Sequence, residues 1–448
     1  MAMRSQLSSD QVNMKDDFRT IVPACPIPGM RIVPFRFARL LAGFAGRAVF
    51  AHLRKIERGL ITIIEGCDRH IFGSEGGLTA TITVHDHAFY TDTAFGGSIG
   101  AGESYMAGFW SADDLTTLIR IMVLNRNVLL DMEGGLSKIT APVHRFFHAL
   151  RRNTRNGSRR NITAHYDLGN DFYSLWLDET MTYSCNIFER AESTLEDAVI
   201  AKYDRICRKL RLGPGNHVLE IGTGWGGFAI HAARNYGCRV TTTTISRQQH
   251  DWARERIAEA GLSGSVQLLF EDYRDLKGRF DKLVSIEMIE AVGHQFLDTY
   301  FSTCSRLLKA NGMMALQSIT ITDQVYDAHV RSPDFIIHYI FPGGFIPSVS
   351  ALVGSVAKAT DMKLFHLEDI APHYARTLRF WRERFLMNIE NVRKLGFGES
   401  FLRMWEYYLC YCEAGFRERY IGDAQMIFIK PGTRPEDILP EQRDNREE

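Results

Sequence analysis

The glycine-rich run VLEIGTGWGG, at residues 218–227, is the first pattern in the sequence that can do chemistry. In it a predicted strand, a glycine turn and a helix start follow one another, which is the order that a nucleotide-type cofactor site requires. Gly222, Gly224 and Gly227 also satisfy the spacing GxGxxG, so a dinucleotide is the first candidate ligand. Glycines that serve only a tight turn are the alternative without a ligand.

The residues after the glycines distinguish between cofactors. A dinucleotide site needs an acid about 20 residues further on to bind the ribose hydroxyls, but no Asp or Glu occurs between Glu220 and Asp251. Glu220 itself precedes the glycines, where an acid can accept from an ammonium group. Asp272, in EDYRDL at residues 271–276, follows the third predicted strand, where it can bind an adenine amino group while Tyr273 packs on the ring. The pattern favours S-adenosylmethionine over NAD.

Strand and helix patterns alternate around these residues. The predicted strands are residues 217–221, 239–244, 266–270, 282–286 and 312–318, and the predicted helices are 227–235, 247–260 and 295–309. Such alternation predicts an α/β, Rossmann-like fold with a doubly wound parallel sheet, whose ligand lies outside the carboxyl ends of the strands. We assign the catalytic domain to residues 156–432 and a disordered tail to 433–448.

Residues 1–155 are predicted to form a smaller α+β domain that ends in a basic linker. Its short strands are predicted at residues 60–64 and 78–85, its helix at 34–56 and the linker, RRNTRNGSRR, at 151–160. Four arginines of the helix, at positions 36, 39, 47 and 54, share roughly 80° of its circumference. A solvated surface is one interpretation of these basic segments, and docking on anionic phospholipid is the other. The domain is also a candidate for homodimer formation.

Composition argues against several classes of protein. Lys plus Arg equal Asp plus Glu at 53 each, so no net field favours binding to nucleic acid. The eight cysteines include no CxxC pair, which argues against a disulfide framework and a metal site and fits a reducing cytoplasm. The most apolar stretches, such as residues 335–341, are much shorter than the roughly 18 residues that span a bilayer. We expect a cytoplasmic protein that meets the inner face of the membrane peripherally.

Several longer motifs make the sequence resemble the cyclopropane fatty acid synthase family of methyltransferases, which includes the mycolic acid methyltransferases. The resemblance covers about residues 161–428 and, more weakly, GESYMAGFWSADDL at 102–115. Its strings are HYDLGNDFY (165–173), MTYSC (181–185), the glycine loop with Trp225, EMIEAVGH (287–294), IFPGGFIPS (340–348) and PHYARTL (372–378). The resemblance implies transfer of a methylene unit to the double bond of an unsaturated phospholipid acyl chain.

The resemblance also implies a mechanism and a set of catalytic residues. An isolated alkene is a poor nucleophile, so it must be held against the sulfonium methyl group in a dry pocket. In the family, a bound bicarbonate then removes a proton from the transferred methyl group, and the ring closes. The bicarbonate anchors that carry over are Cys185, Glu290 and Tyr374, with Ile319 contributing its backbone. Cys185 as a small buried side chain and Tyr374 as the start of a helix are the alternatives without catalysis.

The remaining residues implied by the resemblance bind the cofactor or the lipid. The cofactor contacts are Tyr183, Ser184, Gly222, Gly224, Thr244, Ile245, Gln249, Asp272, Tyr273 and Ile286, to which the pattern above adds Glu220. His165, Tyr166 and Asp167 are expected in a helical cover over the cofactor. Phe341, Pro342 and Gly343 are expected to line the acyl channel.

Gln317 departs from the family pattern. Many members have a histidine among the bicarbonate ligands at this position, whereas plant-type and some bacterial members carry glutamine. Glutamine donates and accepts hydrogen bonds but takes up no proton near neutral pH. Cyclopropane formation is the leading expectation. Methylation of an alkene or diene without ring closure, giving a methyl-branched or methylated diene fatty acid, is the alternative.

Overall fold

The computed structural model describes residues 35–134, 168–332 and 334–434. The predicted linker at 151–160 lies outside the described residues, as do His165, Tyr166, Asp167 and most of the predicted tail. Within the described ranges the chain forms two β-sheets with helices around them.

A four-stranded sheet lies in the first described range. Its strands are β1 (Leu60–Glu65), β2 (Asp68–Gly73), β3 (Thr79–Val84) and β4 (Trp110–Ala112), in the order β2-β1-β3-β4. The two central strands run parallel, and each edge strand is antiparallel to its neighbour. The sequence predicted β1 and β3 to within one residue. It did not predict β2, whose polar and mostly exposed residues mark an edge strand.

Helices accompany this sheet. They are α1 (Phe35–Leu53), α2 (Ala88–Met106), α3 (Leu115–Leu124) and α4 (Arg126–Gly134). α1 corresponds to the helix predicted at residues 34–56. α2 contains a kink at Gly97, whose φ of 59° lies in the left-handed region that favours glycine. Asp114 caps α3 by accepting a hydrogen bond from the Thr117 N–H at 2.9 Å.

A seven-stranded sheet forms the centre of the remaining chain. Its strands are β5 (His217–Ile221), β6 (Arg239–Thr243), β7 (Val266–Leu269), β8 (Phe280–Ile286), β9 (Leu308–Ile321), β10 (Lys363–Asp369) and β11 (Ile421–Ile429). They lie in the order β10-β11-β9-β8-β5-β6-β7. The five predicted strands are β5 to β9, and they run parallel. The predicted α/β doubly wound fold is therefore confirmed.

The prediction of a wholly parallel sheet is wrong at one edge. β11 pairs antiparallel with both β9 and β10, and neither β10 nor β11 was predicted. β10 alternates exposed and half-buried residues, as an edge strand does. β11 is buried, but Asp423 and Gln425 interrupt its apolar pattern. That interruption concealed the strand, and its polar residues belong to the site described below.

Further helices cover the larger sheet. They are α5 (Asn170–Ser174), α6 (Leu195–Leu210), α7 (Gly227–Tyr236), α8 (Arg247–Glu259), α9 (Leu297–Leu307), α10 (Asp323–Arg331), α11 (Val349–Ala359), α12 (Ala371–Met387), α13 (Ile389–Lys394) and α14 (Glu399–Arg417). The predicted helices α7, α8 and α9 are confirmed to within two residues. α6 starts with a capping box in which Thr194 and Asp197 satisfy each other's backbone N–H.

The two sheets are joined through α14, which packs against α2 and α3. The Tyr105 hydroxyl donates to Glu406 at 2.9 Å, and Arg120 pairs with Glu418 at 2.6 Å. One continuous apolar core extends across this contact. Among the described helices, none combines the length and the apolar character needed to cross a bilayer.

The order in which strands are added to the larger sheet reverses between β5 and β8. After β5, the strands β6 and β7 are added on one side of it, and β8 is then added on the other side. In open α/β sheets, ligands bind at this switch point, outside the carboxyl ends of the strands. The glycine loop follows β5 and Glu287 follows β8, so both lie at this point.

Candidate active site

The glycine loop turns sharply at the end of β5. The N–H groups of Gly222 and Thr223 both donate to the Thr243 carbonyl at 3.1 Å, which ties the loop to the end of β6. Gly222 has a φ of 99°, and a Cβ there would lie 3.1 Å from the Met288 side chain. Both the backbone conformation and the close approach therefore require glycine.

A cavity of about 720 Å³ opens beside this loop, a size typical of sites for cofactors and small ligands. All eleven residues predicted to contact the cofactor line it: Tyr183, Ser184, Glu220, Gly222, Gly224, Thr244, Ile245, Gln249, Asp272, Tyr273 and Ile286. The structure thus brings together residues that span more than one hundred positions of the sequence. Their individual contacts with the cofactor stay predictions.

Glu220 is buried where the cofactor's ammonium group is expected. Its carboxylate accepts from the Thr242 hydroxyl at 2.6 Å. Burial raises the pKa of Glu220 to about 8, although the Thr242 hydrogen bond and the nearby Lys202 partly oppose this rise. A carboxyl group that is costly to ionise alone is suited to a cationic ligand, because the ligand offsets the cost.

The adenine side of the cavity is more constrained than the sequence suggested. Asp272 already accepts from the Arg274 backbone N–H at 3.0 Å and from its guanidinium at 2.8 and 2.6 Å. Asp272 can therefore accept from an adenine amino group only by sharing its oxygens with Arg274. Thr244 donates to Gln249 at 3.1 Å, which fixes both side chains at the start of α8.

Glu290 presents a carboxylate oxygen to the cavity. Its Oε1 accepts from the Ser318 hydroxyl at 2.9 Å and from the Ile319 N–H at 2.7 Å. Its Oε2 is buried without a hydrogen-bond partner among the described residues. Burial, followed by the charge of Glu287, raises the pKa of Glu290 to about 8. The predicted backbone donor Ile319 thus serves Glu290 directly.

Glu287 lies at the centre of the predicted bicarbonate anchors. Its Oε1 accepts from the Cys185 N–H at 2.8 Å and from Gln317 Nε2 at 2.7 Å, and its Oε2 accepts from the Tyr374 hydroxyl at 2.7 Å. The predicted donors for bicarbonate therefore already donate to protein carboxylates. As folded, the site does not fit a bicarbonate ion on these anchors. Sequence reasoning missed Glu287, although its position directly after β8 was a usable signal.

Cys185 and Gln317 do not line the cavity, whereas Glu287, Glu290, Ile319 and Tyr374 do. The Cys185 thiol is directed at the Asn186 and Ile370 carbonyl oxygens, at 3.4 and 3.7 Å. Burial raises its pKa well above the ordinary value. Cys185 therefore contributes its backbone N–H to the Glu287 carboxylate, and its buried thiol lies beside Asp423.

Two further buried ionisable residues that the sequence analysis missed surround this cluster. Lys202, on α6, donates to the Ser184 hydroxyl at 2.7 Å, and burial lowers its pKa to about 8 despite nearby acids. Asp423, on β11, has a pKa raised well above its ordinary value by burial and then by Glu287. Neither residue type nor spacing distinguished them, because each is buried only through packing between distant elements.

The opposite wall of the cavity is apolar. It includes Val49, Leu53, Phe89, Trp110, Leu118 and Ile119 from the region of the four-stranded sheet. Phe341 and Pro342, predicted for the acyl channel, also line the cavity. The predicted Gly343 does not, whereas Gly344 does; Gly343 occupies the turn itself, with a φ of 76°. The cavity therefore joins a polar cofactor site to an apolar surface.

Comparison with known proteins agrees with this geometry. Two solved structures each share 33% identity with the chain: the cyclopropane synthase MmaA2 from Mycobacterium tuberculosis, and the mycolic acid cyclopropane synthase CmaA1 complexed with S-adenosylhomocysteine and CTAB. Each aligns with a TM-score of 0.57 over 61% of this chain and 98% of its own. Coclaurine N-methyltransferase, at 20% identity and a TM-score of 0.50, shares the fold. The fold and site define an S-adenosylmethionine-dependent methyltransferase.

The particular family follows from the sequence comparisons. The family model described as "Mycolic acid cyclopropane synthetase" matches residues 153–426 of the chain. Cyclopropane-fatty-acyl-phospholipid synthase of Escherichia coli is 38% identical over 79% of this chain and 89% of its own. Tuberculostearic acid methyltransferase UfaA1 of Mycobacterium tuberculosis is 40% identical over 75% of this chain and 80% of its own. The chain belongs to the mycolic acid cyclopropane synthetase family.

Proposed function

We propose that the protein adds a methylene unit across the double bond of an unsaturated phospholipid acyl chain, which forms a cyclopropane ring. The observation that carries the proposal is the cavity, in which the glycine loop and an apolar wall face each other. An alkene reacts only when it is held against the methyl donor away from water, and such a wall supplies that enclosure. The identity with the Escherichia coli phospholipid enzyme supports this substrate and product.

In this proposal the residues of the chain bind, orient and enclose the reactants. S-adenosylmethionine supplies an electrophilic methyl group when bound. Glu220 would accept from the ammonium group, and the glycine turn leaves room for the cofactor beside β5. The lining side chains of α1, α2 and α3 would enclose the acyl chain and exclude water from the reacting carbons.

The residues present do not fit bicarbonate, the base that the family resemblance implies. The donors among its predicted ligands are already engaged: Cys185, Gln317 and Tyr374 donate to Glu287, and the Ile319 N–H donates to Glu290. No step of the proposed reaction therefore passes through bicarbonate.

The activity assay uses the full chain, labelled S-adenosylmethionine and vesicles of monounsaturated phospholipid. We expect the label in the acyl chains, a mass gain of one CH₂ unit, and the upfield proton signals of a cyclopropane. A methyl-branched or methylated diene product without those signals would favour the alternative derived from Gln317. Label found only in a soluble acceptor would contradict the proposal.

We further infer a peripheral position on the inner face of the membrane. On α1, Phe44 is 58% exposed and Arg47 is also exposed, and Arg54 is exposed just beyond the helix end. Leu130, which lines the cavity, is 60% exposed. An exposed aromatic ring with neighbouring cations suits the headgroup region of an anionic bilayer.

Vesicle sedimentation tests this position. Wild type should bind anionic vesicles more strongly than neutral ones, and Phe44→Ser should weaken that binding. Ile200→Ser, on α6, is the matched control, because Ile200 is 50% exposed and lies on a helix of the larger sheet, outside α1. Equal binding of wild type and Phe44→Ser would contradict docking through α1.

Homodimer formation is also a prediction. Analytical ultracentrifugation of the wild-type protein without vesicles checks it.

A further inference from the structure

We propose that Glu287 replaces bicarbonate as the general base and removes the proton from the transferred methyl group. The proposal rests on the proposed function and names the base for that reaction. Its basis is geometrical: the Glu287 carboxylate lies on the Cys185, Gln317 and Tyr374 donors and lines the cavity.

Three donors from three parts of the fold converge on this one carboxylate. They are the Cys185 N–H before α6, Gln317 Nε2 on β9 and the Tyr374 hydroxyl on α12, at 2.7 to 2.8 Å from its oxygens. Bicarbonate and a carboxylate share a planar O–C–O unit, so one set of donors suits either. Here the chain itself fills that set. Three donors at these distances fix the orientation of the carboxylate.

The backbone places Glu287 there at a cost. Its φ is 46°, in the left-handed region that non-glycine residues seldom adopt, and its N–H donates to the Gln317 carbonyl at 2.8 Å. In this conformation the Cβ lies close to the following carbonyl oxygen, which strains the backbone. Glycine would avoid this cost but would have no carboxylate. Local strain at a residue that faces the cavity is typical of functional positions.

A chain of hydrogen bonds fixes the orientation of the Gln317 amide. Lys209 donates to Gln425 Oε1 at 2.7 Å, and Gln425 Nε2 donates to Gln317 Oε1 at 3.0 Å. Gln317 must therefore present its Nε2 to Glu287. A neutral amide supplies a donor without adding charge, which suits a site whose acceptor is a carboxylate of the chain itself. This explains why glutamine serves here in place of a histidine.

The charges around Glu287 distinguish it from the other buried acids. Lys202 provides a nearby cation, whereas burial raises the pKa of Glu290 to about 8 and that of Asp423 well above its ordinary value. Burial therefore favours the protonated form of both Glu290 and Asp423. Asp423 and Gln317 approach on the side away from the cavity, and Asp423 forms a side-chain hydrogen bond with Glu287.

The reaction balances with the groups present. The π electrons of the alkene form a bond to the methyl carbon as the carbon–sulfur bond breaks, and its electron pair stays on sulfur. The other alkene carbon becomes a cation. Glu287 takes a proton from the new methyl group, and the released C–H electron pair forms the second ring bond. The products are a cyclopropane, S-adenosylhomocysteine and a protonated Glu287.

The first experiment needs no variant. The full chain is assayed with vesicles of monounsaturated phospholipid in buffer freed of carbon dioxide, with and without added bicarbonate. We expect the same rate in both. If wild type is active but depends on bicarbonate, the proposed role of Glu287 is overturned and the proposed function stands. A wild type that transfers no methyl group to any acyl chain would overturn the proposed function, and this proposal with it.

Two substitutions then separate base catalysis from filling of space. Glu287→Gln keeps the shape and should lower kcat by about 10²–10⁴-fold, with affinity for S-adenosylmethionine retained in calorimetry. In Glu287→Gly the glycine can adopt the left-handed backbone conformation, and the three donors lose their acceptor. Bicarbonate or formate should therefore restore part of the activity of Glu287→Gly but none of the activity of Glu287→Gln. Exposed Glu192→Gln is the matched control. Full activity of Glu287→Gln, or equal rescue of both variants, would overturn the proposal.

Discussion

One wall of the cavity is the carboxyl edge of the seven-stranded sheet, and the other comes from the region of the four-stranded sheet. The sheet edge presents Glu220, Glu287 and Glu290, each held by hydrogen bonds from distant segments. Among the described residues of the opposite wall that line the cavity, Arg126 is the one that carries a charge. The first wall therefore carries the groups that can bind and release protons, and the second wall determines the shape of the space for the acyl chain.

This difference determines how each wall responds to mutation. At the sheet edge the charge state of each group depends on its neighbours. Single substitutions there should therefore have large effects on activity, and the effects of two substitutions should not be additive. On the apolar wall the contributions depend on area and volume, so they should be graded and local.

Tyr374→Phe should have the largest effect of these. It removes the hydroxyl that donates to Glu287 at 2.7 Å and leaves a half-buried acceptor short of one donor, which costs about 1–3 kcal/mol, or roughly 5- to 150-fold in kcat. Steady-state kinetics on vesicles measures it. Tyr236→Phe is the control, since the Tyr236 hydroxyl donates to Asp204 away from the cavity. An unchanged kcat for Tyr374→Phe would show that the donors around Glu287 do not serve catalysis.

Glu220→Gln should weaken S-adenosylmethionine binding by about tenfold, because a charge-assisted hydrogen bond is lost. The wild-type carboxyl has a pKa raised to about 8, so a cationic ligand should lower that pKa and release a proton near pH 7. Calorimetry in buffers of different ionisation enthalpy measures the release. If the variant releases as many protons as wild type, another group must titrate.

The same carboxyl should affect stability in the absence of ligand. Its folded pKa of about 8 exceeds its ordinary value of 4.5, so its contribution to stability is complete below about pH 4.5 and is lost as pH rises through about 8. The Tm of wild type should therefore fall between pH 5 and pH 8 by a few degrees more than that of Glu220→Gln. Glu290 acts in the same direction. Parallel Tm curves would mean that Glu220 is already ionised in the folded protein.

Ile119→Phe should have the smallest effect on chemistry. It adds volume to the apolar wall, where overpacking costs about 1–3 kcal/mol of stability, and should raise KM for the lipid while cofactor affinity stays unchanged. Ile71→Phe, on the exposed strand β2, is the matched control. A variant that lost cofactor binding would show that the two walls are not independent.

The sequence predicted the fold where its pattern is local. β5, the glycine loop and α7 are consecutive, and the spacing of their apolar residues and glycines defines their bounds within a few residues. The polar cluster was less accessible, because its partners are far apart in the chain: Cys185 lies 102 positions from Glu287, and Gln425 lies 108 from Gln317. Cys185 also shows that a residue type reveals nothing about a backbone N–H, which any residue other than proline provides.

Having the base in the chain changes how a catalytic cycle must end. A dissolved anion can diffuse away with the proton it has taken, and a fresh anion can replace it. Glu287 cannot leave, so each turnover ends with a neutral acid facing an apolar cavity. The proton has to depart before the next substrate is methylated, and Asp423, which shares a side-chain hydrogen bond with Glu287, is its first neighbour behind the cavity wall. The enzyme would then be indifferent to the supply of dissolved carbon dioxide and sensitive instead to how readily the site is rewetted between turnovers.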